Sequence, residues 1–376
     1  MEALNSPDPE MHPLKLAAAT LATTATLLAA SAQAADADGA GWRVELMSDH
    51  HADALRLSDL GSDDAVRALA PRTGRNLAYV EDQALLARRQ GAWTIGLLAR
   101  SSATLVASED ALALSAALAN KATPAASRDW AVNARFAAFS GAGLLLQRAF
   151  VPAEGWQAQA SAQLLSLARW RERRLLGDVR YNAVSGAYGF DLVSQRGDDR
   201  LSFPFQTAVS GQGLGALFGA AVDWRRQDLD GRVAVQDVGW LHWGRLPREA
   251  ATLSTQTQAL DADGFLIYKP LVQGQNSQDS GATRLKGRWQ LEGGWRPQPA
   301  TRLSLGLRTR EGFGALPEAA LQQQWGDLAL GARWQFHERR LGLSVGWRGW
   351  QLAVASDRLG GGARSQAWSL GYTASP

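Results

Sequence analysis

From residue 211 onward the chain alternates between apolar and polar or small positions. In 214–224 (LGALFGAAVDW) every even position is apolar. Leu303, Leu305 and Leu307 alternate with Ser304, Gly306 and Arg308, and Leu341, Leu343, Val345 and Trp347 with Gly342, Ser344 and Gly346. The same rhythm runs through Leu328–Phe336 and through Trp289, Leu291, Gly293 and Trp295. Period two places one apolar and one polar face on each strand. The runs reach about 9–12 residues, longer than the usual strand of a soluble domain and sufficient for a tilted strand to cross a bilayer.

Turn signals separate the runs: Gly197-Asp198-Asp199, Asp228 to Gly231, Arg296 to Pro299, His337-Glu338 and Gly360 to Gly362. Trp347-Arg348-Gly349-Trp350 leaves room for a very tight turn only, whereas 247–263 and 273–282 read as longer polar loops. Short turns alternating with long loops are the rhythm of a membrane β-barrel. With roughly 20–24 residues per strand and connection, the expected fold is an all-β, antiparallel, up-and-down transmembrane barrel of about 14–18 strands, 16 as the central value. It occupies 75–376, preceded by an N-terminal strand and loop region at 35–74. The stretch 51–71 is acidic and weakly patterned. Residues 109–121 (EDALALSAALANK) have helix-forming composition and read as a short helix or a plug.

The N-terminus adds the compartment. An uncharged Ala/Leu/Thr stretch follows Lys15 and closes on Ala32-Gln33-Ala34, the small-x-small pattern of signal-peptide cleavage. Residues 1–34 are therefore expected to be a signal peptide, with Met11 as the alternative start. The chain has no Cys, which removes disulfides, thiolate metal sites and a cysteine nucleophile. Its 39 Lys and Arg are interleaved with 36 Asp and Glu, so no nucleic-acid surface is expected. The mean hydropathy of −0.20 conceals 15 Trp and 38 Gly. Alternation explains this: an apolar outer face averaged with a polar inner face gives a value near zero. Trp224, Trp295, Trp325, Trp334, Trp347, Trp368 and Tyr372 tend to end apolar stripes, where a membrane-interface girdle would lie.

With its signal peptide, its alternating runs from Gly211 onward and its Trp368-Ser-Leu-Gly-Tyr372 ending, the chain resembles outer-membrane β-barrel proteins of Gram-negative bacteria in general. The resemblance implies location in the outer membrane and contact with its lipid, its lipopolysaccharide and the barrel-assembly machinery. It is compatible with a homo-oligomer such as a trimer. It points to no particular porin or transporter family, and Thr-Ala-Ser-Pro follows Tyr372 where such barrels often end on an aromatic residue.

Chemistry is sparse. His50 and His51 sit beside Asp49, but neighbouring strand residues face opposite ways, so no metal site is expected and a solvated loop is the simpler reading. His242 shares a strand face with Trp240 and is the one candidate general base, as in a barrel hydrolase. It lacks an evident nucleophile or orienting acid. No catalytic residue and no cofactor is therefore assigned. Gly211-Gln-Gly213-Leu-Gly215 lacks the context of a phosphate loop. Arg169-Trp-Arg171-Glu-Arg173-Arg174 reads as a charged turn or a lipopolysaccharide contact. Opposite the apolar stripes stand Asp223, Arg225, Arg288, Glu292, Arg308, Arg310 and Arg333, the expected lining of a wet lumen with a modest cationic excess. The expected function is a porin-like channel for small hydrophilic, preferentially anionic, solutes. The alternatives are a non-conducting barrel of an export, adhesion or polysaccharide system, with the two long loops as its partner surface, and a hydrolase built on His242.

Overall fold

A computed structural model describes residues 40–62, 64–204, 212–260 and 266–374. The segment 1–34, expected as a signal peptide, lies outside them. In chain order the elements begin with β1 (Ala40–Ala52), β2 (Arg75–Gln90), β3 (Trp93–Ser108), helix α1 (Glu109–Ala119), β4 (Arg128–Ala153) and β5 (Trp156–Asn182). There follow β6 (Ala187–Asp198), β7 (Gly213–Arg226), β8 (Leu229–Ser254), β9 (Gln258–Leu260), β10 (Leu266–Tyr268) and β11 (Val272–Gln298). The last are β12 (Thr301–Arg310), β13 (Gly314–Trp325), β14 (Leu328–Gln335), β15 (Arg340–Trp347), β16 (Trp350–Ser356) and β17 (Ser365–Thr373).

Each strand pairs antiparallel with its neighbours, and β1 closes on β17 from Arg43↔Thr373 to His51↔Ser365. The result is a closed barrel of 14 strands plus one extra strand. The extra strand arises in the wall between β5 and β8. There β7 pairs with 156–167 of β5, and β6 pairs with 171–182, so two pieces share one descending position. Closure satisfies every ladder without leaving an edge, which a bilayer requires.

One end of the barrel is made of two-residue turns at Gly91-Ala92, Glu154-Gly155, Gln227-Asp228, Pro299-Ala300, Gly326-Asp327 and Arg348-Gly349. Primed turns match the strand twist and need φ above zero. Arg348 and Gly349 have φ of 45° and 84°. A Cβ on Gly349 would stand 2.3 Å from the Thr373 carbonyl oxygen, so only glycine fits. The other end carries the longer connections, and in barrels of this kind that end faces outward.

The ring has 14 strands, the lower end of the expected 14–18 and below its central value of 16, because four strands are far longer than a bilayer needs. β4, β5, β8 and β11 run to 26 or 27 residues, against 7 or 8 in β14, β15 and β16. At about 3.3 Å per residue the long wall projects well beyond the membrane on the loop side. Residues 247–254 and 273–282, expected as loops, belong to this projection. Val272↔Leu253 through Gln278↔Pro247 are ladder pairs. Beyond the bilayer neither face needs to be apolar, so the two-period signal disappears while the backbone pairing continues. Residues 261–263 of the first expected loop lie outside the described residues.

Leucines form the outer face: Leu97, Leu164, Leu214, Leu305 and Leu343 are all more than half exposed. Leu305, halfway along β12, is 70% exposed and is the position at which a charge would meet lipid most directly. Leu305→Arg is expected to destabilise the inserted barrel by about 2–4 kcal/mol in reversible urea unfolding in bilayers, and Leu305→Ile much less. Equal stabilities for the two variants would show that this face is not bathed in lipid.

Candidate functional site

Side chains fill the barrel in two ways. Between β1–β3 on one wall and β8 with β11–β15 on the other, guanidinium and carboxylate groups interlock. Arg100 donates both of its terminal nitrogens to Asp237 at 2.6 and 2.9 Å. Arg288 bridges Asp237 at 2.6 Å and Glu81, and Arg310 also donates to Glu81. Arg340 donates to Asp49 at 2.5 Å, while Arg308 bridges Glu318 and Glu338 at 2.9 Å each. Arg333 completes the group on Glu318 at 2.6 Å. Nearer the tight turns a second tier joins Arg302 to Asp230 and, at 2.6 Å, to Glu292, with Arg296 on Asp230 at 3.0 Å.

The strand positions show what the upper tier does. Glu81 is on β2 and Arg310 on β12, seven strands apart in either direction around the ring of 14. One carboxylate and one guanidinium side chain therefore close the gap between opposite walls. A round barrel of this strand number cannot be bridged so, and the cross-section is pinched at this level. Asp49, Glu81, Asp237, Arg310 and Arg340 are all buried. Buried charges require paired partners, and here each acid faces at least one guanidinium.

The opposite half is apolar. Leu85, Leu98, Leu145, Leu165, Leu167, Trp170, Leu217, Leu241, Trp243 and Leu246 form one buried cluster inside the wall from β2 to β8. This corrects the expectation of a wholly wet lumen. Runs such as Leu144-Leu145-Leu146 and Leu97-Leu98 carry leucine in both phases, so these strands are apolar toward lipid and toward the interior. Small residues on β7 make the space: a Cβ on Gly213 would meet the Trp243 ring at 2.3 Å.

The loop end is covered from within. Ser108 caps α1, its hydroxyl accepting from Ala111 N at 3.2 Å. Ala111 and Leu114 of α1 pack on Trp130, Val132, Val179 and Tyr181 of the tall wall, and Leu112 meets Ala54 of the connection between β1 and β2. Under this cover lie three close polar groups. His51 Nε2 is 3.0 Å from Asp53 Oδ1, and His337 Nε2 is 3.1 Å from Asp53 Oδ2. Burial opposes ionisation of Asp53, but the contacts of His337, His51 and Leu77 N outweigh it and hold the carboxyl well below the usual range. His51 is thus fully buried, not in a solvated loop. His50, on the opposite face, contacts Ser48 and Asp82 instead.

The residues singled out from sequence fall into three groups. Arg288, Glu292, Arg308, Arg310 and Arg333 face inward and belong to the two ionic tiers. Asp223 pairs with Arg232 of the adjoining strand at 2.9 Å, and Arg225 is exposed at the tight-turn end. Among the aromatics, Trp224, Trp295, Trp325, Trp347 and Tyr372 lie at the tight-turn ends of their strands, together with Trp42, Trp93, Trp156 and Trp350. Trp334 and Trp368 sit nearer the loop end. His242 is exposed on the outer face, remote in character from a buried catalytic dyad. The Arg169–Arg174 cluster is mid-strand in β5, not at a turn, and Arg171 donates to Asp198 at 2.9 Å. Sequence reasoning missed the acids that face the arginines (Asp49, Glu81, Asp237, Glu318 and Glu338) and the His337 site.

Closed antiparallel pairing, a leucine-covered exterior and a charged interior define a transmembrane β-barrel of the outer-membrane type. No protein family and no curated protein sequence matches the chain. Among solved structures it is similar to a deletion mutant of the monoaromatic hydrocarbon channel TodX, at 10% identity and a TM-score of 0.41 over 89% of each chain. It is also similar to the P. putida toluene transporter TodX, at 9% identity and a TM-score of 0.38 over 89% of each chain. A third likeness is to the outer-membrane protease OmpT from Escherichia coli, at 9% identity and a TM-score of 0.23, covering 95% of this chain and 98% of that one. At these values the likenesses leave the function to be read from the chain's own residues.

Proposed function

We propose that this barrel is an outer-membrane channel for small hydrophilic solutes, shut in the described conformation by its upper ionic tier. The observation that carries the reading is the continuous set of charged side chains inside the wall, from Asp49 and Arg340 near the loop end to Asp230 and Arg302 near the tight turns. Such a surface is wetted as soon as it separates, and a purely structural filling would be cheaper in leucine. Every arginine of the tiers has an acidic partner, so the lining is close to neutral. Anions gain only where a guanidinium is released from its carboxylate, and the expected anion preference is correspondingly slight.

Planar-bilayer recording of the refolded chain tests the proposal. Brief, discrete steps separated by long closed periods are expected. Complete silence of a barrel that has inserted, at every voltage, would overturn the channel reading. It would favour a non-conducting component of an export, adhesion or polysaccharide system. The projecting wall of β4, β5, β8 and β11 would then be its partner surface.

A further inference from the structure

We propose that His51, Asp53 and His337 form a site for one divalent transition-metal ion, of zinc type, at the loop end of the barrel. Their ligand atoms all lie within 4.8 Å of one another. Two imidazole nitrogens and one carboxylate oxygen are a borderline donor set, suited to zinc and its neighbours rather than to calcium or magnesium. The three come from different places: the end of β1, the residue just after it, and the turn between β14 and β15. Strands β15, β16 and β17 separate these elements in the ring, so convergence reflects the folding of the mouth and not local sequence.

Each imidazole directs Nε2 at a different oxygen of the same carboxylate. An ion between them takes the place of the protons on those nitrogens, and binding therefore releases protons. The carboxylate would stay oriented by groups already on it: Arg72 at 2.6 Å from Oδ1 and Leu77 N at 2.8 Å from Oδ2. Such outer donors fix a ligand's direction and tune its strength.

A second observation concerns atoms left over. His51 Nδ1 and Glu338 Oε2 are both buried with no hydrogen-bond partner. A buried polar atom without a partner is costly, so two in one pocket call for a cause. They belong to one pocket: the Tyr79 hydroxyl donates to Glu338 Oε1 at 3.1 Å, and the Tyr79 ring lies 5.5 Å from that of His51. With a metal on Nε2, the His51 proton moves to Nδ1. His51 Nδ1 then carries a proton in the pocket that the Tyr79 ring shares with Glu338.

The full chain, refolded in detergent and stripped with a chelator, is titrated with zinc chloride and desalted before elemental analysis. One tightly held zinc per chain is expected, together with a chelator-reversible rise in thermal stability and, with cobalt, the visible absorption of a low-coordinate site. His337→Gln, in a turn, should weaken binding roughly tenfold or more while the barrel still shows heat-modifiable migration. His51→Ala/His337→Ala should abolish binding, and His50→Ala should leave it intact. Substoichiometric zinc in the parent chain would overturn the proposal, as would full retention in folded His337→Gln. Loss of binding in His50→Ala equal to that in His337→Gln would do so too.

Discussion

Replacing Arg288 and Arg310 together with alanine is expected to turn brief openings into larger, persistent ones and to shift the current toward cations. These two guanidiniums reach Glu81 from β11 and β12, across the barrel from β2. Without them the shortest bridge between the walls is gone, and Glu81 is left as an uncompensated carboxylate in the narrowest part. The pinch is lost and its field reversed in one step. Unit conductance should rise several-fold, and the reversal potential under a salt gradient should move toward the cation value. Stripping a buried acid of its partners also costs roughly 3–5 kcal/mol, so folding must be checked by heat-modifiable migration. Glu81→Gln is the milder companion. It keeps the shape, loosens both arginines and should raise open probability without the cation shift. A folded double variant with parental conductance and selectivity would show that the tier is not the barrier.

The fold was legible because a bilayer imposes a strict rule on every spanning strand. Alternation in 214–224, 303–307 and 341–347 marked β7, β12 and β15, and the tight spacing of Trp347 and Trp350 marked a two-residue turn. The projecting wall was not legible. Residues 247–254 and 273–282 face water on the loop side, so nothing in their composition separates a paired strand from a loop. The strand number lies at the lower end of the expected 14–18 for the same reason, since residues spent on height are not available for circumference.

Half of the candidate site was legible. A polar residue opposite an apolar stripe faces the interior, and Arg288, Arg308, Arg310 and Arg333 were placed by that logic. What they touch was not legible. Glu81 and Arg310 are 229 residues apart, and their meeting depends on the pinched section, which no local period encodes. A still greater distance in sequence, 284 residues, hid His337 from Asp53. The apolar half of the interior was obscured by its own simplicity: in a run of three leucines both faces are apolar, and the period vanishes.

That apolar half leads to the largest stability effect. Trp243→Ala is expected to destabilise the barrel by about 3–5 kcal/mol, far more than Trp240→Ala on the same strand. Trp243 is 3% exposed and Trp240 is 55% exposed, although only two residues stand between them. Trp240 stands in lipid, which flows into any space a truncation leaves. Trp243 is packed beside Leu165, Leu167 and Leu241, none of which can collapse without moving a hydrogen-bonded wall. Loss of the indole thus leaves a cavity with its full cost. The role of glycine in β7 gives an internal check. Because Gly213 leaves the room that the Trp243 ring occupies, Gly213→Leu alone should clash and destabilise. Combined with Trp243→Ala, the leucine fills part of the vacated volume. The double variant should be more stable than the sum of its single effects by about 0.5–3 kcal/mol, the range found for residues in contact. Urea unfolding in micelles, followed by tryptophan fluorescence and by gel migration, measures the parent and all four variants. Strict additivity, or equal losses for Trp240→Ala and Trp243→Ala, would mean that the interior at this level is not a packed core and that the space inside β7 is filled by water instead.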